Sequence, residues 1–128
     1  DDTGLEVEAL DNAPGVYSAR FAGPEKNDQK NIQFLLEKLN HKSSRKARFR
    51  TVLCLCLKGE FFYFEGIAEG EIAMNPIGNQ GFGYDPVFIP QGYDQTFAQM
   101  TLDEKNKVSH RKRAFYKLNE FLKSRNER

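Results

Sequence analysis

The spacing of hydrophobic positions predicts two amphipathic helices. The first covers residues 25–39, with Asn27 or Asp28 as its candidate N-cap, and the second covers residues 109–124. In both segments apolar side chains recur at intervals of three and four residues, which is typical of a helix with one buried face. The buried stripe predicted for the second helix consists of Phe115, Leu118, Phe121 and Leu122.

Runs of leucine, β-branched and aromatic residues predict strands between these helices. Residues 47–57 and 60–71 form two long runs, and the Lys-Gly-Glu junction between them indicates a hairpin. Two shorter strands are predicted, one within residues 1–9, where it ends in a turn, and one at residues 83–90. The aromatic run at 61–64 indicates a strand that is covered on both faces.

Two cysteines lie in the first long strand. Because Cys54 and Cys56 are two residues apart, both thiols are expected on one face, where they are poorly placed to form a disulfide with each other. A metal site would need further ligands, and His41 and His110 are scattered along the chain. We therefore expect both cysteines to be buried and unreactive.

Composition indicates one globular domain over residues 1–128, with 39% hydrophobic and 29% charged residues. The longest apolar run, at residues 52–57, is much shorter than the ~20 residues that span a membrane, and no targeting segment is visible. A net charge of +1 argues against general nucleic-acid binding. We expect a cytoplasmic protein that binds neither membranes nor nucleic-acid polymers.

A motif with candidate chemistry, GFGYDP, occupies residues 81–86. Its glycines flank Phe82 and let a ligand approach the backbone, while Asp85 follows three residues after the ring. A phenylalanine face can stack on a base, and a carboxylate can accept hydrogen bonds from the N–H edge of an oxidised purine. The alternative is a turn that enters a strand, with Phe82 in the core and Asp85 as a cap. Alternation could also turn Tyr84 toward the core.

A second motif, KNKVSHR at residues 105–111, opens the last helix. Ser109 is a candidate N-cap, and His110 and Arg111 follow where free backbone N–H groups attract acceptors and anions. Fixed donors there would accept a purine that has a carbonyl at C6, whereas the C6 amine of adenine would place donor against donor. Lys105 can reach either a base or a phosphate. Together the motifs indicate a pocket for a flat heterocycle rich in carbonyl oxygens.

With DDTG at residues 1–4 and GVYSARF at 15–21, these motifs resemble, in their order, the inosine triphosphate pyrophosphatase family (Ham-type dITP/XTP pyrophosphatases). The resemblance implies hydrolysis of ITP, dITP and XTP to the monophosphate and pyrophosphate by a cytosolic, Mg²⁺-dependent homodimer. It implies an α/β fold with an elongated mixed β-sheet flanked by helices. It covers essentially the whole chain but only the C-terminal two-thirds of a complete member, whose N-terminal phosphate loop has no counterpart here. We therefore expect a fragment.

The resemblance also implies roles for single residues. Asp2 would be the proton acceptor and a Mg²⁺ ligand, and Asp1 a weaker metal ligand, because hydrolysis between the α and β phosphates needs a divalent cation and an oriented water. The implied substrate-binding residues are Thr3, Phe82, Gly83, Tyr84, Asp85, Lys105, His110 and Arg111. Two alternatives stay open: a nucleotide-binding module without turnover, and a single-stranded nucleic-acid binder, which the near-neutral charge disfavours.

Overall fold

This computed structural model describes residues 2–126 of the chain. Its strands form one sheet of five. The strands are β1 (Asp2–Val7), β2 (Ala13–Gly15), β3 (Lys46–Leu57), β4 (Glu60–Ile72) and β5 (Phe88–Pro90). Their order is β2-β1-β3-β4-β5, and each pairing among them is antiparallel. The predicted α/β fold with a sheet flanked by helices is confirmed, but the sheet within the described residues is antiparallel and not mixed, because each strand pairs with neighbours that run in the opposite direction.

The helices in this range are α1 (Asp28–Leu39), α2 (Leu102–Asn106) and α3 (His110–Asn126). Asn27 caps α1, since its side-chain oxygen accepts a hydrogen bond of 3.0 Å from the Lys30 backbone N–H. This confirms the first predicted helix and one of its two candidate caps. None of the described helices has the length and apolar character that a membrane span requires.

The β3–β4 hairpin confirms the two long predicted strands and the turn between them. Lys58 and Gly59 have φ values of 51° and 81°. Positive φ at both positions is the backbone of a two-residue turn whose twist matches that of the strands. The strands then pair without interruption from Leu57 opposite Glu60 to Lys46 opposite Glu71.

The hydrophobic core lies on one face of the sheet, under α1. In β1 the alternate residues Leu5 and Val7 face it, and in β3 Ala47 and Phe49 do so. The other main core residues are Ile32, Leu35, Leu39, Ile72, Val87, Phe88, Phe97 and Met100. The sheet therefore holds β1 and β3 in fixed register at the DDTG motif with which the sequence begins.

The outer half of the hairpin corrects the prediction of buried cysteines. Cys54 and Cys56 share one face, as their spacing predicts, but both are exposed. Opposite them on β4, Tyr63 and Phe61 are 69% and 63% exposed. The expectation that the aromatic run is covered on both faces is therefore also wrong: among the described residues no element lies over this face of the hairpin.

The opposite face of the same run is covered by α3. The rings of Phe62 and Phe64 lie 4.7 Å and 5.3 Å, between centroids, from the ring of Phe121. The four residues of the predicted stripe on α3 are nevertheless half-buried or exposed, and Phe115 is 39% exposed. The buried residues of this helix lie in its first turns instead, where the helix is closest to the sheet.

Gly66 of β4 explains why α3 is closest to the sheet at its beginning. A Cβ atom at this position would overlap the backbone of His110 and Ala114. The absence of a side chain lets the first turns of α3 contact the strand directly, and both of these helix residues are buried. The short strand predicted at 83–90 differs as well, because Asp85–Val87 form a 3-10 turn and only Phe88–Pro90 are extended.

Candidate functional site

A cavity of about 620 Å³ opens between the start of β1, the loop at residues 81–85 (the 81–85 loop) and the beginning of α3. This volume lies within the range of small-molecule sites in proteins. Its lining includes all of the residues that sequence reasoning assigns to substrate binding: Thr3, Phe82, Gly83, Tyr84, Asp85, Lys105, His110 and Arg111. The fold thus brings together motifs that are up to about 100 residues apart in the sequence.

The 81–85 loop is held in place by two carboxylates. Gly81 and Gly83 have φ values of 76° and 60°, which favour glycine. Asp85 Oδ2 accepts a hydrogen bond of 3.1 Å from the Phe82 backbone N–H, and Asp28 Oδ2 accepts one of 2.9 Å from that of Gly83. A Cβ atom on Gly81 would overlap the Asp85 carboxylate. The loop presents the Phe82 ring at the cavity with 71% of the residue exposed.

Lys105 forms a buried ion pair with the same carboxylate. Its Nζ lies 2.7 Å from Asp85 Oδ2, and the two side chains are 17% and 5% exposed. The ammonium also lies 5.2 Å from the centroid of the Phe82 ring and 5.5 Å from that of Phe97, within the range of cation–π attraction. Lys105 is thus fixed beside the candidate stacking ring.

Tyr84 is turned inward, as alternation along the segment allows. Only 5% of it is exposed, and its hydroxyl donates a hydrogen bond of 2.6 Å to the Ser18 backbone carbonyl. Burial raises the pKa of Tyr84 above its ordinary value, and the charge of Asp28 raises it further. Tyr84 therefore stays neutral, and its ring forms a wall of the cavity while its hydroxyl ties the loop to the segment after β2.

Ser109 confirms its predicted role as the cap of α3. Its hydroxyl accepts a hydrogen bond of 3.1 Å from the Lys112 backbone N–H. The cap fixes where the helix begins and therefore where the next two side chains, His110 and Arg111, enter the cavity wall. The guanidinium carbon of Arg111 lies 6.0 Å from the centroid of the Phe115 ring, which also lines the cavity.

His110 is neutral and has an unpaired ring nitrogen. Only 8% of it is exposed, and its ring stacks on Phe49 with centroids 4.7 Å apart and planes 17° apart. Burial, and secondarily the positive charge of Lys105 and of two arginines on α3, lowers the pKa of His110 to about 4. No hydrogen-bond partner for its Nδ1 exists among the described residues. A buried polar atom of this kind, in a cavity wall, is suited to pair with a bound ligand.

The start of β1 supplies Thr3 to the cavity, and Asp2 precedes it with an exposed side chain. Alternation along the strand directs these two side chains to opposite faces of the sheet. Asp1, the predicted weaker metal ligand, lies outside the described residues. Within residues 2–126 no group of three or more His, Cys, Asp or Glu side chains is arranged to hold a metal ion. An exposed carboxylate such as that of Asp2 still fits Mg²⁺, which proteins commonly bind through one or two carboxylates plus substrate phosphates.

Sequence reasoning missed several residues of the cavity wall, among them Ser18, Asp28, Asn31 and Phe49. Asn31 was detectable in the sequence as a polar residue beside the apolar stripe of α1. It is 2% exposed, and its side-chain N–H donates a hydrogen bond of 2.9 Å to the Ala19 backbone carbonyl. Ser18 and Asp28 act on the backbone of distant segments, and no local pattern predicts such contacts. The structure therefore adds a set of supporting residues behind the predicted ones.

Comparison with known proteins agrees with this geometry. A sequence model described as the Ham1 family matches residues 1–121. A dITP/XTP pyrophosphatase of Christiangramia forsetii is 57% identical over 122 residues, which are 95% of this chain and 64% of the relative. A dITP/XTP pyrophosphatase of Bacillus subtilis is 49% identical over 127 residues, or 97% of this chain and 64% of the relative.

A solved structure is similar over the same extent. The structure of the Staphylococcus aureus Ham1 protein matches with a TM-score of 0.93 at 43% identity, and the match covers 97% of this chain and 65% of that protein. The chain thus spans about 64% of the length of the curated relatives it matches.

Proposed function

Because this chain belongs to the Ham1 family, we propose that it hydrolyses deaminated purine nucleoside triphosphates (ITP, dITP and XTP) to the monophosphate and pyrophosphate. The observation that carries the proposal is the convergence of the predicted substrate-binding residues on one cavity. The names of the relatives from Christiangramia forsetii and Bacillus subtilis, both dITP/XTP pyrophosphatases, support the substrate class. We place the protein in the cytoplasm as a homodimer, as the family resemblance implies.

The base would stack on Phe82 and place its C6 oxygen toward the donors of α2 and α3. Lys105 has three N–H donors and no acceptor, and Asp85 uses one of them. Arg111 is likewise a donor only. A C6 carbonyl accepts from such groups, whereas the C6 amine of adenine would leave buried donors facing each other. The neutral ring of His110 can pair through its Nδ1 without adding a third cation beside the base.

The reaction would take place at the β1 end of the cavity. A water oxygen bonds to the α phosphorus while the bond to the α–β bridging oxygen breaks, and pyrophosphate leaves with that electron pair. Asp2 accepts the proton of the attacking water and, with Asp1, would also hold Mg²⁺. When bound, Mg²⁺ neutralises phosphate charge. Asp2 does not line the base cavity, and alternation directs its side chain away from that of Thr3, so the proposal requires the phosphates to extend past the start of β1 to reach it.

The test is pyrophosphate release from ITP, XTP, dITP, ATP and GTP with Mg²⁺, measured on the natural protein that carries this sequence. We expect turnover of the three deaminated substrates only. Asp2→Asn should lower kcat by about 10²- to 10⁴-fold, the contribution typical of a general base, while binding of IMP is retained. Asp94→Asn, a change at an exposed loop carboxylate, is the matched control and should behave like the wild type.

Two results would contradict this proposal. Comparable turnover of ATP or GTP would show that the cavity does not select deaminated bases. Binding of IMP by the wild type with no pyrophosphate release from any of the five nucleotides would favour the binding module without turnover.

A further inference from the structure

Thr51 is a polar residue in an otherwise apolar row of β3. Alternation directs it to the same face as Ala47, Phe49 and Leu53, and the structure gives it 0% exposure. Its register partner on β1 is Thr3, and the two hydroxyl oxygens are 2.8 Å apart. Thr3 differs from Thr51 in one respect that matters here, because it is exposed and lines the cavity.

The burial of Thr51 decides which hydroxyl is the donor. Each threonine hydroxyl has one proton, so only one of the two can donate across the 2.8 Å contact. A fully buried hydroxyl whose proton has no acceptor is unfavourable, whereas an exposed hydroxyl can donate to water or to a ligand. For the Thr51 hydroxyl the structure describes one hydrogen-bond partner, the hydroxyl of Thr3. The arrangement with the lower free energy therefore has Thr51 donating and Thr3 accepting.

We propose that Thr51 is a positioning residue, which donates to the Thr3 hydroxyl and thereby directs the proton of Thr3 into the cavity. Thr3 then acts as a hydrogen-bond donor with a fixed direction toward an acceptor on the ligand. Because the proposed function places the phosphates at the β1 end of the cavity, where Thr3 lies, the acceptor is a phosphate oxygen of the nucleotide and not an atom of the base. This inference rests on the proposed function for the identity of the ligand, but the direction of the hydroxyl pair does not depend on it.

The functional test compares Thr51→Val, Thr51→Ser and Thr3→Val in the natural protein that carries this sequence. Thr51→Val keeps the shape of the side chain and removes its proton; it should raise KM for ITP about fivefold, the size expected for one hydrogen bond. Binding of inosine, which has no phosphate, should not change. Thr51→Ser restores the hydroxyl and should return KM to within about twofold of the wild type, since the same bond is remade.

A double variant separates positioning from a general loss of structure. If Thr51 acts through Thr3, the variant Thr3→Val/Thr51→Val should have the same KM as Thr3→Val alone. A merely structural role would weaken inosine and ITP binding alike, and the two changes would add. Unchanged ITP kinetics in Thr51→Val would overturn the proposal.

The direction of the bond is tested without activity. A buried, hydrogen-bonded hydroxyl proton exchanges slowly with water, so we expect an NMR signal from the Thr51 hydroxyl that disappears in Thr3→Val. Its absence in the wild type would overturn the assignment of the donor. If that signal is present but the wild type binds neither ITP nor IMP, the proposed function and the substrate role of Thr3 are wrong while the orientation of the pair is supported.

Discussion

At the loop and helix end of the cavity, Asp85 and His110 are buried and Lys105 is partly buried, and each is tied to neighbours by an ion pair, a backbone hydrogen bond or a stacked ring. At the β1 end, Asp2 and Thr3 are exposed, and the Thr3 hydroxyl contacts one buried hydroxyl, that of Thr51. The first end is thus completed by the folding of the chain itself. The second presents groups that gain their partners from substrate and metal, so loss of a side chain should affect stability at one end and chemistry at the other.

The strongest test of this contrast is removal of Lys105. Lys105→Met leaves the Asp85 carboxylate buried without its partner, which typically lowers the free energy of unfolding by about 3–5 kcal/mol. Denaturant unfolding measures the loss, and ITP binding should fall with it. The double variant Asp85→Asn/Lys105→Met should recover part of the stability, because no unpaired charge remains.

An exposed ion pair provides the matched control. Lys30 lies 3.2 Å from Glu25, with side chains that are 65% and 74% exposed, so Lys30→Met should change the unfolding free energy little. If Lys105→Met lowered the unfolding free energy as little as Lys30→Met does, the loop and helix end of the cavity would not be a part of the folded core. The contrast between the two ends would then fail.

The sequence predicted best what depends on neighbours along the chain. The hairpin with its turn at Lys58 and Gly59, the capped helix α1 and the cap at Ser109 all follow from local patterns, and the structure contains each of them. The motif residues that converge on the cavity were identified through a resemblance, and their convergence needs the fold. The residues behind them, such as Asn31, contact backbone groups whose position no local pattern encodes.

The errors have one physical origin. Period-two alternation shows that Cys54 and Cys56 share a face, but it does not show whether another element covers that face. In the same way, helical periodicity predicted a buried stripe that begins at Phe115 and ends at Leu122, whereas the backbone contact that Gly66 permits draws the first turns of α3 onto β4. Burial depends on elements far apart in the sequence, and one glycine can decide it.

His110 extends the comparison to pH. An unfolded histidine binds a proton near its ordinary pKa of 6.5, whereas burial keeps folded His110 neutral down to about pH 4. Between these values the unfolded state binds more protons, so stability falls as the pH falls through this window and falls no further below it. The full loss is about 3 kcal/mol at 1.36 kcal/mol per pKa unit.

Carboxylates titrate in the same pH window, so the contribution of His110 has to be obtained by comparing the wild type with a variant that lacks this histidine. The unfolding free energy of the wild type minus that of His110→Gln should fall by about 3 kcal/mol between about pH 7 and about pH 4, since only the wild type carries this penalty. His41→Gln, at an exposed position, is the control for the loss of an imidazole as such. Parallel curves for His110→Gln would show that folding does not lower the pKa of His110.

Phe82 gives the smallest expected effect on stability in this comparison, because it belongs to the loop and helix end of the cavity and yet is 71% exposed. Phe82→Ala should leave the unfolding free energy unchanged but weaken nucleotide binding by the stacking contribution of about 1–3 kcal/mol, or roughly 5- to 150-fold. Phe82→Tyr retains an aromatic face and should bind nearly as the wild type does. Phe61→Ala, which removes a similarly exposed ring that does not line the cavity, should alter neither quantity. A loss of stability in Phe82→Ala that matches its loss of binding would mean that the ring holds the loop together, and recognition of the base would then have to come from Lys105 and α3 alone.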